Sequence, residues 1–455
     1  MRSRHGVVCS LHDSLFSATG PVSRSCGTGF SFLSFASNPQ HQFEVPAQAR
    51  ALPATRHCKQ KLIVFSQLLA GYSCNIMPDL TEDLIPLVLR ELYFGHPVGS
   101  WNEHEPDRTT LRHLSLVNST WNGPAQALLL KSVLVNSKFT DAFLGPENND
   151  DDSSRRSLLQ HVRIATFPPL TGLPSDASGR IILTLLERCT SLYELGFRAS
   201  GPDGFSDAVV DSLRRLSESR PLALRSLKIY ECGLQSPAVR QLVSSFPTIE
   251  FLSINCEVGP RLANGISCNV RLYELRLTRN IPDDLLRWLL QSSQDTLQVL
   301  ELRDVPGRKM LNILKPYCNT VRSLRLMTFN LTSSEIVNHC QNLEELVMMG
   351  IPNVFPLPAV LPASLHHLSI ILPNVTERTR LRPYTKVVVS HGALRSVRCR
   401  GPVRKVEDFP DFEEACKVHN VALVVEEDGV WLNEPCVKAD VFPRRRSVSN
   451  FNLMN

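Results

Sequence analysis

A single apolar phrase, L-x-x-L-x-L, recurs along the chain and narrows what it can fold into. It occurs as Leu159-x-x-Val162-x-Ile164, Leu192-x-x-Leu195-x-Phe197, Leu224-x-x-Leu227-x-Ile229, Ile249-x-x-Leu252-x-Ile254 and Leu272-x-x-Leu275-x-Leu277. It continues as Leu297-x-x-Leu300-x-Leu302, Val321-x-x-Leu324-x-Leu326, Leu343-x-x-Leu346-x-Met348, Leu365-x-x-Leu368-x-Ile370 and Leu394-x-x-Val397-x-Cys399. Successive starts lie 22 to 33 residues apart. One such phrase carries no information, but ten in series define a repeat array, in which each unit buries its apolar strand only against its neighbours.

The alternation within each phrase reads as a short strand. The text between phrases reads as helix over Asp207–Leu216, Pro237–Ser245, Pro282–Leu290, Met310–Tyr317 and Ser333–His339. Pro237 and Pro282 sit at helix starts, where a missing N–H costs nothing. Each helix returns the chain so that the next strand lies parallel to the last. Residues 158–430 resemble leucine-rich repeats of the irregular, cysteine-containing class. The resemblance implies an α/β solenoid with parallel strands on its concave face. The Asn/Cys position of that family is filled by Cys232 and Asn280, and not by Ser200, Glu257, Val305, Phe329 or Ile351. A last helix at Asp411–Asn420 and a last strand at Val421–Val425 close the array.

A second pattern precedes the repeats. In PDLTEDLIPLVLRELYF, Leu80, Leu84, Val88, Leu89 and Leu92 form one helical stripe, with Thr81 as N-cap. Gly95–Thr109 reads as a loop. A second stripe runs through Leu111, Leu114, Val117 and Trp121, Gly123-Pro124 interrupts it, and Ala125–Lys131 forms another short helix. The order Leu80-Thr81-Glu82-Asp83-Leu84-Ile85, Val88-Leu89, Leu92, Leu111, Leu114-Ser115-Leu116-Val117-Asn118 and Trp121, with the tail Ala-Gln-Ala-Leu-Leu-Leu-Lys-Ser-Val, resembles a fungal-type F-box. Thr81 stands where that family usually has proline, and the 95–109 link is longer than usual. The resemblance implies that a short all-α module at 77–137 docks on a Skp-type adaptor and, through it, a cullin ubiquitin ligase. It makes Leu80, Leu84, Val88, Leu89, Leu92, Leu111, Leu114, Leu116, Val117 and Trp121 the adaptor-binding residues.

Within the repeats, the strand positions between the apolar ones point away from the core. They include Arg163, Glu194, Lys228, Tyr230, Phe251, Glu274, Arg276, Glu301, Arg303, Arg325, Glu345, His367 and Arg398. Both signs of charge alternate there, with aromatic residues interleaved. Such a face suits a protein partner, whereas a uniform basic stripe would suit phosphate.

Composition excludes other classes. Of 455 residues, 43% are hydrophobic and 20% charged, a folded composition. The net charge of +5 arises within residues 1–76, leaving 42 basic against 42 acidic residues from Met77 onward. A balanced body lacks the electrostatic footprint of a nucleic-acid binder. The 13 cysteines form no C-x-x-C pair and no zinc-finger spacing, so no metal site is expected and the thiols read as small buried residues of an intracellular protein. The longest apolar run, Leu62–Ala70, is too short to span a membrane. No phosphate-binding glycine loop, G-x-S-x-G or H-E-x-x-H motif is present, and neither Asp283-Asp284 nor Glu344-Glu345 suggests an acid–base pair.

The expectation is therefore a non-catalytic protein without cofactors, cytoplasmic or nuclear. A disordered basic extension at 1–76 precedes the helical module at 77–137 and an acidic linker at 138–157. The solenoid spans 158–430, and a polar tail at 431–455 carries Arg444-Arg445-Arg446. Its expected role is a substrate receptor presenting an unknown protein target for ubiquitination. The alternative is a repeat scaffold that acts without a ligase.

Overall fold

Each repeat phrase supplies three apolar side chains that a lone strand cannot cover, so neighbouring repeats must stack. In the computed structural model they do so as one continuous sheet. The structure describes residues 83–94, 108–145, 152–168, 175–198, 204–220, 222–259, 267–327, 329–349 and 361–427. Among these, twelve strands pair in sequential order, every pair parallel. They are β1 Ser132–Leu134, β2 Ile164–Thr166, β3 Glu194–Arg198, β4 Ser226–Glu231, β5 Phe251–Ile254 and β6 Glu274–Leu277. The series continues with β7 Val299–Leu302, β8 Ser323–Leu326, β9 Glu345–Met349, β10 His367–Ile371, β11 Ser396–Arg400 and β12 Ala422–Glu426.

Crossovers between adjacent parallel strands are right-handed, so sequential order puts all the connecting helices on one face of the sheet. These helices are amphipathic and bury their apolar stripes: Val209, Val210 and Leu213 from Asp207–Ser219, Leu285, Leu286, Leu289 and Leu290 from Asp283–Leu290, and Ile336 and Val337 from Leu331–His339. Against them lie the phrase residues. Leu195, Leu227, Leu275, Leu324, Leu346 and Val397 are fully buried, each burial contributing about 1.5–3 kcal/mol before entropy. The observed helices begin within two residues of the expected starts. Pro237 and Pro282 are the N-caps of their helices.

Hydroxyls tie one repeat to the next. Thr248 Oγ1 donates to the Leu224 carbonyl at 2.7 Å, Thr296 Oγ1 to that of Leu272 at 2.9 Å, and Ser364 Oγ to that of Leu343 at 2.8 Å. On the far side of the strands Asn280 Nδ2 donates to the Val305 carbonyl at 3.0 Å and Asn330 Nδ2 to that of Pro306 at 3.3 Å. Asn330 also caps its helix through Ser333 N at 2.7 Å. It lies one residue beyond Phe329, whereas Asn280 occupies the position read from the sequence.

Three features differ from expectation. The first phrase is out of register by three residues: Ile164 pairs with Glu194 and Ala165 with Leu195, so the core positions are Val162, Ala165 and Phe167, all buried. An alanine and a phenylalanine match the aliphatic pattern less well than Leu159 and Ile164, which drew the reading to the wrong frame. Next, the sheet starts earlier, at β1, where Leu130, Val133 and Val135 supply the buried phrase. Finally, Gly123-Pro124 does not interrupt its segment. Ser119–Leu130 is one helix, capped by Asn118 accepting from Trp121 N and held by buried Trp121, Ala125 and Leu129. Pro124 lies inside this helix and forgoes one intrahelical bond, a cost that the buried side chains around it outweigh. The break falls instead at Leu116–Asn118, between this helix and Arg108–Ser115.

The chain divides into two units, residues 1–87 and 88–455. In the second, Arg108 Nη2 donates to the Ser132 carbonyl of β1 at 3.1 Å. Within 138–157, short helical segments occupy Ser137–Leu144 and begin again at Asp152. The extension 1–76 and the tail with Arg444-Arg445-Arg446 lie outside the described residues. No described helix is long and apolar enough to cross a membrane.

Gly401, just after β11, has φ +93° and packs against the Leu372 carbonyl, where an added Cβ would overlap that oxygen. Gly401→Ala is expected to lower stability by about 1–3 kcal/mol for the strained backbone. A urea titration beside Gly392→Ala, where an added Cβ meets open space, measures this; equal midpoints would contradict it.

Candidate interaction surfaces

Two sets of residues were expected to meet partners, and burial separates their members sharply. In the first unit Leu84 is exposed at 45% and Leu87 at 59%. In the second, Leu116 is exposed at 65% and Val117 at 48%, both in the break after Arg108–Ser115. Leu89, Leu111 and Trp121 are buried core, and Val88 and Leu114 are half-buried. Leu80 and the side chain of Leu92 fall outside the described residues. Fewer of these residues are open to a partner than the helical stripe suggests.

The sheet face turned away from the helices is where the second set lies. Its alternation is as expected, but its charges are largely buried and paired with each other. Glu194 accepts from Ser226 Oγ at 3.0 Å and holds Lys228 Nζ at 3.1 Å. A longer lattice crosses four strands. Arg276 bridges Glu274 at 3.4 Å and Glu301 at 2.9 Å, and Arg303 Nε donates to Glu301 at 2.8 Å. Arg325 lies 3.9 Å from Glu301 and 3.5 Å from Glu345, and Glu345 also accepts from Ser323 Oγ. The Glu301, Arg325 and Glu345 side chains are only 4%, 1% and 2% exposed. Register explains the pairing: Arg276, Glu301 and Arg325 are direct cross-strand neighbours on β6, β7 and β8, spaced by about 4.8 Å.

The remaining members follow the same rule. His367 is buried, its Nδ1 bonded to Ser396 Oγ, and burial first and Arg395 and His366 in support lower its pKa against the opposing pull of Glu345. Arg398 reaches Glu426 at 3.6 Å. Tyr230 is half-buried under the Arg198 guanidinium, 5.1 Å from its ring centroid. Phe251 is buried in a cluster with Tyr273, Val299 and the partly buried Tyr193. A second apolar cluster, Met327, Val347 and Ile371 with Met349 against it, occupies β8–β10. Arg163 is not a face residue. With the frame corrected it precedes β2, and its Nη1 donates to the Ser191 carbonyl at 3.1 Å.

Burial raises the Glu301 carboxyl, but Arg276, Arg303 and Arg325 outweigh it and hold the group below its ordinary value of 4.5. Burial pushes the Cys189 and Cys399 thiols up to about 12 and Cys268 to about 11, whereas a hydrogen bond with Cys340 lowers Cys318. Among the described residues no group of three or more His, Cys, Asp or Glu is placed to hold a metal ion.

Sequence reasoning missed one set of residues, those immediately ahead of each strand. There two polar clefts of about 410 and 340 Å³ share Asp295 and Gln298. The signal was available, since the residue directly after each phrase's first apolar position is charged or polar in most repeats, as in Arg225, Glu250, Gln298, Arg322 and Glu344. No known family matches the chain, and no curated protein does.

Because the Glu301 pKa is depressed in the folded chain, its stabilisation is present above the unfolded value and lost as pH falls through the folded one. Glu301→Gln removes the carboxylate that three guanidiniums share, leaving Arg276 to Glu274 and Arg325 to Glu345, and is expected to cost about 3–5 kcal/mol at pH 7. The difference from wild type narrows as pH falls through the depressed folded-state value, below the ordinary 4.5, where the native group protonates as well. Urea midpoints across pH check both statements; a gap that is constant with pH contradicts them.

Proposed function

We propose that this chain is a non-catalytic substrate receptor, cytoplasmic or nuclear, that docks on a Skp-type adaptor of a cullin ubiquitin ligase through residues 77–137 and holds a protein target with its repeat domain. The observation that carries this is the family-like order of apolar residues at 80–121, together with the solvent exposure of Leu116 and Val117. Exposed large apolar side chains scattered singly mean little, but adjacent ones in a rigid break between two helices are available to fill a partner's groove. Buried Leu89, Leu111 and Trp121 then act as the internal support of those residues. The mechanism is proximity: one module fixes the chain to the ligase, the other fixes the target, and ubiquitin is delivered at raised effective concentration. No chemical step falls to this chain.

The stacked sheet is compatible with the second half of this role, since solenoids present long surfaces on rigid units. A repeat scaffold independent of any ligase is what remains if docking fails.

A pull-down of the full chain on recombinant Skp tests the proposal. Wild type is expected to bind, and Leu116→Asp/Val117→Asp to bind at least tenfold more weakly at unchanged melting temperature, because both residues are exposed. A folded wild-type chain that does not bind Skp, or a double variant that binds equally well, overturns it.

A further inference from the structure

The sheet face and the row ahead of it carry charge differently. On the face, the buried acidic groups sit against basic ones in the same molecule, so little charge is left to address a partner. The residues leading into the strands contrast with this. Arg225 precedes β4, Glu250 precedes β5, Arg271 lies two residues before the lead-in to β6 at Tyr273, and Asp295 lies in the turn before β7. Their signs alternate along the repeat axis. Among the described residues none of these four is in an ion pair, and Arg225 makes only one side-chain bond, to the Thr248 carbonyl at 3.3 Å. Arg271 and Asp295 are exposed, and Arg225 and Glu250 half-buried.

All four line the larger of the two clefts, which runs into the smaller through Asp295 and Gln298. The result is one polar trough across successive repeats, with buried Tyr273 in its wall. Past Asp295 the trough ends in charges that already neutralise each other, Arg322 Nε donating to Glu344 at 2.7 Å. Within the trough the unmatched charges are therefore confined to the β4–β7 stretch.

We propose that this trough is the target-binding groove, and that it takes an extended polypeptide segment in which acidic and basic side chains alternate. Arg225 and Arg271 belong to repeats two strands apart, as do Glu250 and Asp295, so along the trough a charge of the other sign falls between like ones. An extended segment lying along the trough therefore meets them by placing a basic side chain between its acidic ones. A nucleic acid or a uniformly acidic peptide meets Glu250 and Asp295 with like charge, and a uniformly basic one meets Arg225 and Arg271. Alternation selects against both. The inference names the target class of the receptor proposed above and rests on that proposal for its biological role; the binding itself requires no adaptor.

The test is selection from a displayed library of 12-residue peptides, randomised among Glu, Lys, Leu and Ala, on the full chain. Wild type is expected to enrich alternating Glu/Lys sequences over the unselected pool. Arg225→Glu/Arg271→Glu is expected to weaken those peptides at least tenfold, with a melting temperature like wild type. The fourfold reversal that adds Glu250→Lys/Asp295→Lys is expected to enrich alternating sequences again. Enrichment of apolar or single-sign peptides, of no class at all, or of alternating peptides that the double variant binds equally well overturns the proposal. Skp binding is measured separately, so a chain that binds peptide but not Skp rejects the ligase role alone, and one that binds Skp but selects no alternating peptide rejects the groove alone.

Discussion

Everything in this structure depends on covering three apolar side chains per repeat. A strand such as Leu324-Arg325-Leu326, led in by Val321, exposes its ladder unless a helix lies over it and another repeat lies on each side. That requirement fixes the sequential strand order, the parallel pairing and the placement of all connecting helices on one face. It also fixes what happens on the other face. Parallel neighbours bring residues of equal register within about 5 Å of each other, and a charge so placed is neutralised by its neighbours or pushed out of the fold.

The lattice from Glu274 to Glu345 shows the first outcome. Arg325 is nearly inaccessible, yet it keeps its charge because Glu301 and Glu345 flank it on both sides. Taking such ions out of water is costly, so the lattice does little for stability relative to an apolar face; what it enforces is register, since a slip of one residue takes its three guanidiniums, Arg276, Arg303 and Arg325, away from their carboxylates. A row devoted to register is poorly suited to recognition. The lead-in residues of β4–β7 have the opposite character: they sit where the chain turns into each strand, the amides of Arg225 and Glu250 are bonded to the preceding repeat, and Arg271 and Asp295 are exposed. Rigid backbone under solvated, unmatched charge is the arrangement that binding favours.

Much of this was legible in the residues. The repeat phrase located ten of the twelve strands, although its first occurrence fell in the wrong frame, because Leu159 and Ile164 imitate the consensus better than Ala165 and Phe167 do. The β1 phrase, Leu130-Lys131-Ser132-Val133-Leu134-Val135, was hidden behind its likeness to a helix tail. The alternation of signs on the sheet face was visible, but its neutralisation was not, because that depends on which rows stand side by side, and register is a property of the stack. Likewise the period of a helix identifies Leu111, Leu116 and Trp121 as apolar without telling which of them faces inward; only packing leaves Leu116 and Val117 in water and buries the other two.

A double-mutant cycle between Arg325 and Glu345, using Arg325→Met, Glu345→Gln and the pair, tests the buried lattice most directly. Both side chains are almost fully enclosed at 3.5 Å separation, so Arg325→Met takes from Glu345 its buried cation and Glu345→Gln leaves Arg325 with Glu301 alone, at 3.9 Å. The structure predicts a coupling of about 1–3 kcal/mol, with the double variant clearly more stable than the sum of the single losses allows. Losses that simply add would mean the two charges do not meet, and that the face is open to solvent and to partners.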